Sequence, residues 1–537
     1  MTDVALTPDD VPAVAVKPKL DAGMGPVSLI LFVGILTAGA MFTAWSIYDD
    51  VVAAGTPVAN WAPFIMLGVA LVIALGFEFV NGFHDTANAV ATVIYTHALP
   101  PHVAVVWSGV WNFLGVATST GAVAFGIVSL LPVELILQVG SDAGFAMVFA
   151  LLIAAIVWNL ATWWLGLPAS SSHTMIGSII GVGVANALLR GRDGTSGVDW
   201  AKATDIGWSL LLSPMFGFLV AGSLFLVLRA IVKNAALYSE PKGTQPPPWW
   251  IRGILIFTCT GVSFFHGSND GQKGMGLIML ILIGTVPTAY ALNRAMPESH
   301  TLAYQQASAA AVVAMQPFVK APAASDVRAD LTEFVRTRKV GETTIASFQK
   351  LTLGISDEVA RNGTLGRLPA AAVQNVRNDM YLASETARFL VKTHAAGMDA
   401  GSEAKIKAFQ KVLDDSTKFI PLWVKIAVAI ALGLGTMVGW KRIVVTVGEK
   451  IGKTHLTYAQ GASAEVVAMA TIGVADGLGL PVSTTHVLSS GVAGTMAANK
   501  SGLQMATLRN LLMAWVLTLP AAIALSAGLY TLFRAIF

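Results

Sequence analysis

Residues 81–89 read NGFHDTANA and residues 266–274 read HGSNDGQKG, and the relation between these two stretches decides the fold. At a constant offset of 185, Asn81 aligns with His266, Gly82 with Gly267, His84 with Asn269, Asp85 with Asp270 and Asn88 with Lys273. A second pair, LPASSSH at 167–173 and LPVSTTH at 480–486, follows in the same order at an offset of 313. The 128 extra residues between the later motifs nearly match a polar block at 293–419, so with that block removed the two halves superpose. Five predicted membrane crossings separate the starts of the two copies, and an odd number inverts their orientation. Inverted repeats with broken helices are the build of secondary transporters, which bind substrate near mid-membrane between the repeats.

Composition agrees with a membrane solvent. The chain has 537 residues, 55% hydrophobic and 12% charged, with a mean hydropathy of +0.66; soluble domains carry about 25% charged residues. The block 293–419 holds 16 of the 34 Lys/Arg and 13 of the 31 Asp/Glu, leaving the remainder poorer still in charge. A net charge of +3 points to no nucleic-acid partner, and a single cysteine, Cys259, permits neither a disulfide framework nor a thiolate cluster. No cofactor is expected, only transported or coupling ions: H+ or Na+, with a divalent metal accompanying the substrate as a further option.

The expected fold class is an all-α integral membrane protein of about 10–12 transmembrane helices, in two inverted-topology repeats with broken helices or hairpins. Residues 1–26 are expected as a tail, not a signal peptide; 27–232 as the first transmembrane half, with its repeat at about 63–190; 233–252 as a cytoplasmic Pro-rich linker; 253–287 as the start of the second repeat; 288–420 as an extracytoplasmic helical insert; and 421–537 as the remainder of the second half. Eleven spans are predicted. Two of them, 63–97 and 253–287, are too long for one straight crossing: 35 residues at 1.5 Å each reach about 52 Å, against a hydrocarbon core of about 30 Å. Both are expected to be broken or strongly tilted. Lys441, Arg442, Lys450 and Lys453, together with Arg229, Lys233, Lys242 and Arg252, place their loops in the cytoplasm and the insert outside.

The chemistry lies in the motifs. Positions 81, 84, 85 and 88 form one polar stripe on a helix, repeated at 266, 269, 270 and 273. Asp85, Asp270 and Lys273 in apolar spans each cost roughly 2.5–3.5 kcal/mol on insertion scales, so such residues face a cavity or pathway; a purely structural polar network leaves the duplication unexplained. Ser170, Ser171 and Ser172, with Ser483, Thr484 and Thr485, follow a proline and offer hydroxyls and backbone N–H groups at helix starts, where tetrahedral oxyanions bind; ordinary N-capping is the alternative for any one of them. Asp85 and Asp270 are expected either to accept hydrogen bonds from the O–H that phosphate retains at neutral pH and sulfate lacks, which favours phosphate, or to hold a coupling cation next to the anion. His84, His173, His266 and His486 fall inside the motifs, as proton relays or as donors that fix the hairpins.

By GFHDTANAVAT (82–92), HGSNDGQKG, LPASSSH and LPVSTTHVLSS (480–490), the chain resembles the inorganic phosphate transporter (PiT) family, in particular its bacterial low-affinity branch. The resemblance implies an inverted-repeat transporter of the bacterial cytoplasmic membrane, often a homodimer, importing phosphate on a cation gradient. It also implies phosphate and cation sites built from Asp85, Asn88, Asn269, Asp270 and the six hydroxyl residues; Asn81, His84, His266 and Lys273 of the polar stripes are expected to share in cation or proton coupling. Two positions depart from the family's G-A-N-D-x-x-N pattern: His84 replaces the first Asn in one copy and Lys273 the last Asn in the other. An ammonium in the space of a sodium ion leaves proton coupling as the expectation, in keeping with the branch it resembles, which carries phosphate partly as neutral metal–phosphate. Three rivals are a transporter of another oxyanion or a divalent metal, an anion channel, and an intramembrane hydrolase using Ser172 and His173.

Overall fold

The structure is a computed structural model that describes residues 17–20, 25–55, 62–85, 87–131, 135–136, 142–241, 243–394 and 396–536; most of the expected tail 1–26 lies outside them. Among the described residues the chain is helical, without strands beyond one isolated bridge, Gly452 to Leu503. The first half runs α1 (Pro26–Ala53), α2 (Ala62–Asp85), α3 (Ala87–Tyr95), α4 (Pro101–Thr118), α5 (Ala122–Val128), α6 (Asp142–Trp164), α7 (Ser171–Leu189) and α8 (Trp200–Ile231). The second half begins with α9 (Trp249–Thr285). The insert contributes α10 (Glu298–Met315), α11 (Val327–Thr337), α12 (Thr344–Asn362), α13 (Ala370–Thr393) and α14 (Ala400–Thr417). The chain then continues through α15 (Leu422–Thr436), α16 (Lys441–Val445), α17 (Tyr458–Gly477), α18 (Thr484–Ala498) and α19 (Met505–Ile536).

Among the described residues six stretches are long and apolar enough to cross a membrane: Pro26–Ala53, Phe64–Tyr95, Asp142–Trp164, Ser171–Leu189, Trp200–Ile231 and Met505–Ile536. Bent pairs raise the number to eight: α4 with α5 turns through 74° and α14 with α15 through 69°. Their outward side chains are apolar; Phe216, Leu219, Val516 and Leu517 are each more than half exposed, a surface suited to lipid rather than water. Two of the eleven sequence-predicted spans are short helices: α15 and α18 have 15 residues each, about 22 Å against a core of about 30 Å. Of the two alternatives expected for 253–287, broken or strongly tilted, the break is not used: α9 is one continuous helix of 37 residues with HGSNDGQKG at its centre. Its glycines do not interrupt it because the neighbouring helices α4 and α2 pack directly on them.

The repeat holds in atomic detail. Gly166 and Gly479 close α6 and α17 at φ +67° and +66°, a conformation open to glycine at little cost. In both, the next residue's N–H returns to the helix: Leu167 to the Thr162 carbonyl and Leu480 to the Ala475 carbonyl, each at 2.9 Å. A proline follows, and then a serine cap: Ser170 Oγ accepts from His173 N, and Ser483 Oγ from His486 N, each at 3.2 Å. The long closing helices α8 and α19 have 32 residues each, with Pro214 and Pro520 near their middles. They cross over. The first half's α8 lies on the second half's α18, with Gly494 against the Phe218 carbonyl, while α19 lies on α7, with Gly181 against the Ile523 carbonyl.

The insert buries Leu331, Phe334, Phe348 and Phe409 in a core continuous with that of the transmembrane helices, which includes Ile127 and Met279. Five helices, α10 to α14, fill the segment expected as a helical insert. Arg338 fastens it to Asp199 at the start of α8 (2.9 Å). At other sites Lys17 meets Glu449 at 2.5 Å, and Glu240 accepts from the His455 N–H at 3.1 Å. The segments assigned to the cytoplasm by their basic residues therefore share one face.

Candidate functional site

Two close helix crossings bring the repeated motifs together. Gly82 of α2 faces α15: a Cβ there would stand 2.3 Å from the Leu432 carbonyl oxygen. Gly267 of α9 faces α4, where a Cβ would stand 2.2 Å from the Asn112 carbonyl oxygen. Each motif helix thus sits backbone to backbone against a helix of the other half, and the polar stripes are held between the two Ser/Thr hairpins.

At the centre, the Ser171 hydroxyl donates to Asp85 Oδ2 at 2.5 Å and stands 3.5 Å from Asp270 Oδ2. The two aspartates, 185 residues apart in sequence, are therefore joined through one hydroxyl on the first turn of α7. Asp85 Oδ1 also meets His84 Nδ1 at 2.7 Å and accepts from Thr485 Oγ1 at 3.0 Å, so both hairpins reach the same carboxylate. Asn88 Nδ2 donates to Thr485 Oγ1 at 3.1 Å and to the Asp85 carbonyl at 2.9 Å. Lys273 Nζ lies 2.8 Å from Asp270 Oδ1 and 3.4 Å from Ser171 Oγ, and His266 Nε2 lies 3.3 Å from Asp270 Oδ2. All of these residues are buried. Burial of two carboxylates and an ammonium is tolerable only when they are paired and their remaining lone pairs are hydrogen-bonded, and this cluster meets that condition in large part. Asp85, His266 and Asp270 present ligand atoms within 4.8 Å of one another, a set able to hold a cation.

The six hydroxyls divide by task. Ser171 and Thr485 reach the Asp85 carboxylate. Ser170 and Ser483 cap α7 and α18. Ser172 donates to the Val482 carbonyl at 2.7 Å, tying one hairpin to the other, so its hydroxyl is not presented to His173 as a nucleophile. Thr484 Oγ1 is buried with no hydrogen-bond partner among the described residues. Asn269 serves the second hairpin, donating to the Leu480 carbonyl at 3.1 Å and accepting from Val482 N at 3.4 Å. Asn81 is turned away from the aspartates and donates to Glu78 Oε2 at 3.4 Å. His173 and His486 lie with ring centroids 4.7 Å apart, and His486 stacks on Trp515 at 4.2 Å.

Two residues without a place in the sequence reading, Thr162 and Asn112, belong to this cluster, as does Glu78, expected from the sequence to extend the first stripe one turn before Asn81. Thr162 Oγ1 meets His84 Nε2 at 3.1 Å, and Asn112 Oδ1 meets His266 Nδ1 at 2.7 Å, so each histidine is oriented from its far side. Glu78, wholly buried, has its carboxylate against Gly274, one residue beyond Lys273. The available signal was a polar residue in an apolar run, shared with many residues that serve helix packing alone.

Comparison with known proteins bears on the same residues. The family described as "Phosphate transporter family" matches residues 81–526, which span all four motifs. The chain is 41% identical over 500 residues to "Low-affinity inorganic phosphate transporter PitA" of Escherichia coli (strain K12), covering 87% of this chain and 96% of that protein. It is 42% identical over 489 residues to "Low-affinity inorganic phosphate transporter PitB" of the same organism, with the same coverage. A solved structure titled "The sodium-dependent phosphate transporter" is similar at 21% identity and a TM-score of 0.49, over 88% of this chain and 100% of that one. The apolar helices and these relatives make this a multi-pass membrane protein, and the chain belongs to the phosphate transporter family.

Proposed function

We propose that this protein imports inorganic phosphate across the bacterial cytoplasmic membrane by cation symport, with protons as the coupling ion, by alternating access to the site between its two hairpins. The observation that supports this best is the Ser171 hydroxyl between Asp85 and Asp270 at the start of α7, with Lys273 beside it. A helix N-terminus and an ammonium attract an oxyanion, while two carboxylates accept the O–H groups that distinguish hydrogen phosphate from sulfate. The relatives named above are phosphate transporters, which favours the same substrate.

The charge arrangement favours proton coupling. Lys273 already neutralises one carboxylate, so the variable charge is a proton on the remaining acid. That proton is held or released as Asp85 exchanges its partners Ser171, Thr485 and His84 for the substrate. Asp85, His266 and Asp270 are also placed to bracket the divalent ion of a neutral metal–phosphate cargo. The buried cluster is read as an occluded state, and the working unit as a homodimer.

Purified protein in liposomes tests the proposal. Uptake of radiolabelled phosphate is expected under an inward proton gradient, to persist with sodium replaced by choline, and to collapse with a protonophore. Asp85→Asn and Asp270→Asn are expected to abolish uptake while reaching the membrane in normal amount. Full activity in both variants, or a strict sodium requirement in the wild type, would overturn the site or the coupling respectively.

A further inference from the structure

A cavity lies where the insert meets the transmembrane helices, apart from the Asp85–Asp270 cluster. It is bounded by Ser129 near α5, Gly276 of α9, Tyr381 and Glu385 of α13, and Lys418 after α14, and Arg377 of α13 projects into it. Residues 377, 381 and 385 follow one another at four-residue spacing, so they form one face of α13. Arg377 is 4% exposed. Its Nη1 donates to the Ile136 carbonyl at 3.4 Å and to Asn378 Oδ1 at 3.2 Å, its Nε has no hydrogen-bond partner among the described residues, and its guanidinium carbon lies 5.1 Å from the Tyr381 ring centre.

The other charges facing the cavity are already matched. Glu385 pairs with Arg388, and Lys418 with Asp414 at 2.7 Å. Among the described residues no carboxylate forms an ion pair with Arg377, a buried guanidinium. Burial pushes its pKa down to about 10, so the group is still charged at neutral pH. A buried unpaired cation is costly, and a planar guanidinium with free donors fits a tetrahedral oxyanion through two parallel hydrogen bonds.

We infer that Arg377 forms a second anion site, a vestibule that captures hydrogen phosphate between the insert and α9 before it reaches the Asp85–Asp270 cluster. Two features give it a route. A neighbouring cavity shares Ser129, Tyr381 and Glu385 with it and continues to Arg336, whose side chain is 37% exposed. Inward, Gly276 is six residues beyond Asp270 on the same helix, about 9 Å along its axis. The vestibule rests on the transport reading above and on the insert lying outside the membrane.

The test is the dependence of uptake on phosphate concentration, with full-length protein in liposomes. Arg377→Gln is expected to raise KM for phosphate about tenfold or more, the weight of a charged hydrogen bond, with the maximal rate held within about twofold because the reacting cluster is intact. Arg377→Lys keeps the charge and loses the fork, and is expected to fall between Arg377→Gln and the wild type. An unchanged KM in a well-inserted Arg377→Gln protein, with normal wild-type uptake, overturns the vestibule and leaves the central site standing. If Arg377→Gln does not insert, Arg377→Lys decides: a raised KM supports the site and a wild-type KM overturns it. No uptake by the wild type would instead overturn the transport reading, and the vestibule with it.

Discussion

Removing one hydroxyl from each of three adjacent serines should have three different consequences, and the structure sets their order. In Ser171→Ala, Asp85 Oδ2 loses a 2.5 Å hydrogen bond and Lys273 loses a neighbour at 3.4 Å. A hydrogen bond to a charged group contributes about 1.5–3 kcal/mol. At 1.36 kcal/mol per factor of ten, uptake below saturation should fall by roughly 10- to 150-fold. Ser172→Ala loses a neutral bond to the Val482 carbonyl between the hairpins, about 1 kcal/mol of stability and less than tenfold in uptake. Ser170→Ala loses the α7 cap on His173 N, also about 1 kcal/mol, and should be felt in thermal stability before transport. The assay is initial-rate phosphate uptake normalised to inserted protein, beside a thermal melt of each purified variant. Equal losses of uptake in the three variants, or near-normal uptake in Ser171→Ala, would refute the assignment of Ser171 as the hydroxyl that links the aspartates.

Lys273→Asn removes the ammonium beside Asp270 and restores the residue type of the first copy, so uptake should gain a dependence on sodium that the wild type lacks; replacing sodium with choline reads it directly. Gly267→Ala places a Cβ 2.2 Å from the Asn112 carbonyl oxygen, backbone that cannot yield, so a loss of about 1–3 kcal/mol or more is expected from overpacking, seen as a lower melting temperature and reduced membrane yield.

The sequence made the repeat, the helical class and the pairing of the two aspartates legible, because each leaves a local mark: a repeated polar stripe, an apolar run, a charge where lipid forbids one. It did not separate Ser171 from Ser172. Adjacent residues on a first helical turn point about 100° apart, and which one meets Asp85 depends on how α7 rotates against α2. The continuity of α9 was hidden for a related reason. Gly267, Gly271 and Gly274 suggest a bend, yet they face Asn112, Val116 and Glu78, and their small size serves close helix packing. Asn112 and Thr162 were illegible because their partners, His266 and His84, lie 154 and 78 residues away. Arg377 is one of sixteen basic residues in 293–419, and nothing in the sequence sets it apart from the others.

The exchange of closing helices, α8 onto α18 and α19 onto α7, makes the molecule a clasp. Neither half is a self-sufficient body, since each hairpin is walled on one side by a helix that the other half supplies. The two repeats are therefore a single mechanical object that cannot be divided at its seam.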